Sequence, residues 1–139
     1  FVCTRSESER QRARAMGAEW AGGYDESPPD KLDAAITFAP AGSVVIAALR
    51  ALERGGTVAI NAIHLDGIPA FSYDDLWWEK SMRSVANFTR NNARDFLALA
   101  ATIPIETVFD VVPLSHANEA LARLKAGQVS GAFVLDTTA

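Results

Sequence analysis

The 139-residue sequence predicts an α/β fold built on a mainly parallel sheet. Two observations carry that reading. Strand-like and helix-like segments alternate along the whole chain, as they do where helices cross between parallel strands. Residues 32–38 hold Leu32, Ala34, Ala35, Ile36 and Phe38, a nearly continuous apolar run suited to a strand buried on both faces.

The elements follow in order. Phe1, Val2, Cys3 and Thr4 form a short strand. Ser6 stands at an N-cap position with Glu9 three residues on, the pattern of a capping box. The helix that follows directs Ala13 and Met16 inward, and Gly17 suits the left-handed position past its end. Trp20-Ala21-Gly22 reads as a short strand, and residues 24–31 as a polar, proline-containing loop. After strand 32–38, Ala39-Pro40-Ala41-Gly42 breaks the run and Ser43 is placed to cap a helix carrying Val45, Ala48, Leu49 and Leu52 inward. Gly55-Gly56 stops that helix, and the β-branched run 57–60 is a strand.

A longer segment runs from Ile68-Pro69 to Trp77-Trp78, and a further strand spans 82–88. Asn92 caps a helix with Phe96, Leu97 and Ala100 on one face, closed by Pro104. Residues 107–112 form a strand. Ser115 caps a last helix with Ala117, Ala120, Leu121 and Leu124 inward, Gly127 ends it, and 132–135 is the final strand.

Composition narrows the function classes. A formal charge of -4 argues against a nucleic-acid or anionic-membrane partner. No apolar run reaches the length of a membrane span. The single cysteine excludes an internal disulfide and a multi-cysteine zinc site, and it fits a reducing cytoplasm. Cys3 reads as a small core residue rather than a metal ligand. His64 and His116 lack a third ligand partner, and His116 reads as structural. Asp74, Asp75 and Glu79 fit a solvated helix face, as do Arg10, Arg12 and Arg14. Trp77-Trp78 is less ordinary: adjacent aromatics point in different directions, so one of them faces a partner surface. No Ser-His-Asp or Cys-His arrangement stands out.

Four stretches resemble the medium-chain dehydrogenases, the zinc-type alcohol dehydrogenase and quinone reductase family. They are Ala15-Met16-Gly17-Ala18, Leu32-Asp33-Ala34-Ala35-Ile36, Leu52-Glu53-Arg54-Gly55-Gly56-Thr57-Val58, and the series Pro113-Leu114-Ser115, Glu119-Ala120, Leu124, Gly127, Gly131 and Val134-Leu135. Their order and spacing cover essentially the whole chain. The resemblance implies an incomplete Rossmann-like parallel sheet over residues 1–88, the rear part of a dinucleotide-binding domain. Residues 89–139 would be an α/β tail returning to the catalytic domain. Neither an initiating Met nor a Gly-rich pyrophosphate turn precedes the first strand, so the front half is expected upstream of Phe1.

The same resemblance implies hydride transfer between nicotinamide and an alcohol or carbonyl carbon of a small-molecule substrate. Zinc would be held by the catalytic domain. Thr4, Arg5 and Ser6 would line the adenosine ribose, and Phe38, Ala39 and Pro40 would face the cofactor. Ala62, Ile63 and His64 would approach the nicotinamide, as would Ala86, Asn87 and Phe88. Ala62, and Asn87-Phe88, stand where many relatives use glycine. No acidic residue closes the first strand, and Arg5 follows it, which favours NADP over NAD. A homodimer would form through the edge strand from Met82 to Phe88. The chain alone would be inactive. Two rivals stay open: a zinc-free quinone or enoyl reductase of the same family, and a non-enzymatic interaction domain that retains half the fold.

Overall fold

The computed structural model describes residues 1–138 and divides into two compact units, Phe1–Asn87 and Phe88–Ala139. Each is α/β, and every strand pair is parallel.

The first unit holds β1 (Val2–Cys3), α1 (Glu7–Ala15), β2 (Ala21–Gly22), β3 (Leu32–Thr37), α2 (Gly42–Ala51), β4 (Leu52–Ile60), α3 (Tyr73–Leu76) and β5 (Ser81–Ser84). β1 pairs with β2, and a separate sheet runs β3-β4-β5. The core forms where α2 lies on β3 and β4. Val45, Leu49, Leu52 and Val58 are fully buried there. Leu32, Ala35, Ile60, Leu76 and Met82 pack around them. Each of the four large side chains contributes roughly 1.5–3 kcal/mol by leaving water.

β3 is not buried on both faces. Side chains alternate along a strand. Ala35 and Thr37 turn toward the α2 side, whereas Ile36 is 62% exposed and Ala34, on the same face, is exposed too. Among the described residues no helix covers that second face, so the continuous apolar run marks a one-sided core.

Helix caps correct the local reading in three places. Ser6 occupies the N-cap of α1, but its side chain bonds Ser8 and no capping box forms. Ser43 lies inside α2, whose N-cap position is Ala41; the first amide of α2, that of Gly42, donates to Asp66, 24 residues downstream. Met16, expected inward, is 77% exposed, because it falls at the C-cap of α1 rather than on its packed face. The C-terminal carbonyls of α2 also find distant partners: Lys80 Nζ donates to Leu49 O (3.2 Å) and Lys31 Nζ to Arg50 O (2.8 Å). Leu52 closes the helix at its C-cap and starts β4. Gly17 takes the left-handed conformation expected of it (φ 96°), whereas Gly55-Gly56, expected to stop α2, lies within β4, with Gly55 at φ 74°.

The second unit holds α4 (Arg90–Ala100), β6 (Phe109–Pro113), a 3-10 turn (Leu114–His116), α5 (Ala117–Lys125) and β7 (Ala132–Asp136). Asn92 is not the cap of α4. Thr89 is, and Asn92 closes the box from the third helical position. Ser115 caps nothing, because the 3-10 turn occupies the approach to α5. Ala120 is buried, while Leu121, Leu124, Phe96 and Leu97 are exposed. A two-stranded sheet offers too small a face to cover both helices.

Thr37 is buried (4% exposed), and its hydroxyl has no protein hydrogen-bond partner. Thr37→Val keeps the shape and deletes an unpaired polar group. It should stabilise the chain by about 1 kcal/mol in urea denaturation; a loss of stability would show that the hydroxyl is satisfied.

Candidate functional site

In an open parallel α/β sheet, ligands bind beyond the carboxyl ends of the strands. The sequence-predicted residues of the first unit all fall there. Thr4, Arg5 and Ser6 follow β1; Phe38, Ala39 and Pro40 follow β3; Ala62, Ile63 and His64 follow β4; Ala86 and Asn87 follow β5. Phe88 falls in the second unit.

Backbone hydrogen bonds lace three of these segments together. Asn61 N donates to Thr37 O (2.9 Å), which joins the end of β4 to the end of β3. Asp66 N lies 3.5 Å from Pro40 O, and Val85 N donates to Ile60 O (3.0 Å). Within this edge Ala39 and Ala62 are half-buried. Phe38, Ile63 and His64 stand in solvent, Ile63 with 87% of its surface exposed. The segment after β1 belongs to the other sheet of the unit and shares no such bond.

Asn87 takes φ 60°, the left-handed region. Asparagine is among the few residues other than glycine that enter it readily. It can therefore stand where the resemblance expects glycine, and the strand before it is Ser81–Ser84, not 82–88.

At the end of β1 the structure adds a residue that the sequence reading treated as ordinary helix surface. Arg10 reaches back from α1, and its Nη1 donates to Thr4 O (3.1 Å) and Arg5 O (3.3 Å). Its Nε pairs with Glu7 at 2.8 Å, and Arg14 adds a second contact to Glu7 at 3.5 Å. The carboxylate of Glu7 is thus offset by two guanidiniums. Arg5 makes no ion pair or side-chain hydrogen bond among the described residues and stands exposed beside the hydroxyls of Thr4 and Ser6. That donor set, cationic and hydroxylic, fits a phosphate.

A cavity of about 590 Å³ beside α1 is bordered by Phe1, Val2, Thr4, Ala13 and Met16; Thr4 is its one link to the candidate residues. Cys3 is exposed and not the core residue expected, because the two-stranded β1–β2 sheet leaves it uncovered; the protein atoms around its thiol still displace enough water to raise its pKa. Among the described residues no three His, Cys, Asp or Glu side chains gather as a metal site. No helix among them is long and apolar enough to cross a membrane.

A parallel sheet with helical crossovers and loops at its carboxyl edge is the architecture of a doubly wound α/β protein. The chain belongs to the medium-chain dehydrogenase family of zinc-type alcohol dehydrogenases and quinone reductases. It is 45% identical over 135 residues to a probable alcohol dehydrogenase, AdhA, of Mycobacterium tuberculosis, which covers 96% of this chain and 39% of that protein. It is 28% identical over 91 residues to an alcohol dehydrogenase of a Moraxella species, covering 66% of this chain and 27% of that one. The chain thus spans well under half the length of the curated relatives it matches. Among solved structures, a cinnamyl alcohol dehydrogenase of Sorghum bicolor superposes with TM-score 0.80 at 19% identity, over 99% of this chain and 40% of that one. The Helicobacter pylori CAD structure complexed with NADP(H) gives 0.75 at 19% identity, over 99% and 40%. These two likenesses establish the fold. No protein-family model matches the chain.

The hydrogen bond from Arg10, more than any other influence, holds the Glu7 carboxyl below its ordinary pKa. A depressed folded pKa means that the interaction contributes fully above the unfolded value and is lost as pH falls through the folded one. An NMR titration of Glu7 should give a midpoint below that of a free glutamate, and Arg10→Ala should return it upward. A midpoint unmoved by Arg10→Ala would remove Arg10 from this role.

Proposed function

We propose that this chain is the nucleotide-binding part of an NADP-linked, alcohol dehydrogenase-like oxidoreductase. Its relationship to a probable alcohol dehydrogenase at 45% identity carries the reading. The reaction moves a hydride between nicotinamide C4 and an alcohol or carbonyl carbon, and the nicotinamide supplies that chemistry when bound. The chain's own residues bind and orient. Arg5, with Thr4 and Ser6, holds the 2′-phosphate of the adenosine ribose. The backbone of Phe38, Ala39 and Pro40 lies along the cofactor. Ala62, Ile63 and His64, with Ala86 and Asn87, wall the nicotinamide side. The described residues offer no ligand set for zinc, and no step is assigned to one.

The absence of a carboxylate at the end of β1 favours NADP, because a carboxylate there would repel the 2′-phosphate. In the full-length protein that carries this chain, Arg5→Ala should lower kcat/KM with NADPH by about tenfold or more and leave NADH nearly unchanged. Equal losses with both cofactors, or a wild-type preference for NADH, would overturn the assignment.

We further propose a homodimer through β5, the edge strand of its sheet. Arg83 is the only charged residue of β5, so the edge is thinly protected. The Val85 amide is bonded inward to Ile60 O, so by alternation the Ser84 amide faces outward. Ser84→Pro should convert a dimer to a monomer in analytical ultracentrifugation. A monomeric wild type, or a dimer that survives the substitution, defeats the proposal.

A further inference from the structure

Two of the candidate cofactor segments are fastened to each other by a side chain that belongs to neither. Asp66 stands in the loop after β4, just past Ala62, Ile63 and His64. Its Oδ1 accepts from the amide of Gly42, the first residue of α2, immediately after Phe38, Ala39 and Pro40. A carboxylate at that position satisfies one of the free amides of the helix start and lies at the positive end of its dipole. Its own amide faces Pro40 O at 3.5 Å, so the contact is made from both sides.

Gly42 is part of the same fastening. A Cβ there would stand 2.7 Å from Ile68 Cα, and it would collide with Gly67 O as well. Gly42 is buried although it begins a helix, because the loop runs directly across it. The loop therefore cannot sit where it does unless residue 42 is glycine. α3 and α4 are capped by a residue of their own N-terminus, Ser72 and Thr89, whereas α2 takes its side-chain acceptor from 24 residues downstream.

We infer that Asp66 is a positioning residue: its carboxylate clasps the loop after β4 to the start of α2 and so sets the spacing between the segment along the cofactor, 38–40, and the segment on its nicotinamide side, 62–64. The inference rests on the nucleotide-binding reading above for its effect on catalysis, but not for the clasp itself. Asp66 touches no reacting atom. A loop freed at residue 66 would remain tethered by the Asn61–Thr37 bond at its root, while 62–68 would sample other positions. Hydride transfer is sensitive to such displacement, since near-attack geometry is lost over about an ångström.

The test compares Asp66→Ala, which deletes the acceptor, with Asp66→Asn, which keeps a side-chain oxygen in place. Gly42→Ala attacks the same contact from the other side. Hydrogen–deuterium exchange on the 139-residue chain reads the clasp directly. Asp66→Ala and Gly42→Ala should speed exchange over 38–44 and 61–68, leave the strand amides of β3 and β4 protected, and Asp66→Asn should largely restore the wild-type pattern. In the full-length protein Asp66→Ala should lower kcat by about tenfold. Affinity for adenosine 2′-monophosphate, which probes only the end of β1, should stay the same. Unchanged exchange in Asp66→Ala overturns the clasp. Faster exchange with an unchanged kcat overturns its positioning role. If the wild-type full-length protein neither binds NADPH nor turns over an alcohol or carbonyl, the proposed function fails, and the exchange comparison still decides whether Asp66 holds the loop.

Discussion

The first unit depends on one helix being held in place along its whole length. α2 supplies Val45 and Leu49 to the core, and β4 meets them with Leu52 and Val58. Both ends of α2 are fixed by residues remote in sequence: Asp66 at the start, Lys31 and Lys80 at the finish. Arg50, in its last turn, also pairs with Asp75 at 3.0 Å. The loops that leave β3 and β4 are thus positioned by the helix that buries the core. Shifting α2 would move Pro40 and Asp66 together. The packing that stabilises the sheet and the spacing that shapes its carboxyl edge are one constraint.

That coupling explains which parts were legible in the sequence. The order of elements was, because alternating apolar runs and Gly or Pro punctuation are local signals. Gly17 could be placed in the left-handed region from its position alone. Caps were less legible, since a cap is read from the few residues around it. Ser43 is a plausible local cap, but the chain uses an aspartate 24 residues away, and no local window contains that fact. Thr89 and Asn92 show the milder form of the problem: both residues of the box are visible, and only the backbone tells which of them is the cap.

Burial was the least legible property. A run such as residues 32–37 has the composition of a strand covered on both sides, yet Ile36 is largely exposed. Hydrophobicity records what a segment tolerates, whereas exposure depends on which other elements reach it. The same holds for Leu121 and Leu124 on α5, whose spacing is that of an inward face beside a sheet of only two strands. Periodicity assigns the face of a helix. It does not supply the surface that covers it.

The candidate site has a different kind of opacity. Most of its proposed members, among them Ala39, Pro40 and Ala62, have no chemically active side chain and would act through backbone position. Such a site leaves almost no trace in residue type, so its proposal rests on a resemblance and not on a motif. The exception is the end of β1, where side-chain chemistry is explicit. Glu7 is a carboxylate only two residues from Arg5, near enough in sequence to compete with a phosphate for it. The structure turns Glu7 toward Arg10 and Arg14, and Arg10 in turn holds the Thr4 and Arg5 carbonyls. Two of the three arginines of α1 are thereby engaged with Glu7, and Arg5 keeps its donors directed to solvent. Through Arg10, Glu7 helps to anchor the turn that carries Arg5, the cation proposed for the ribose phosphate.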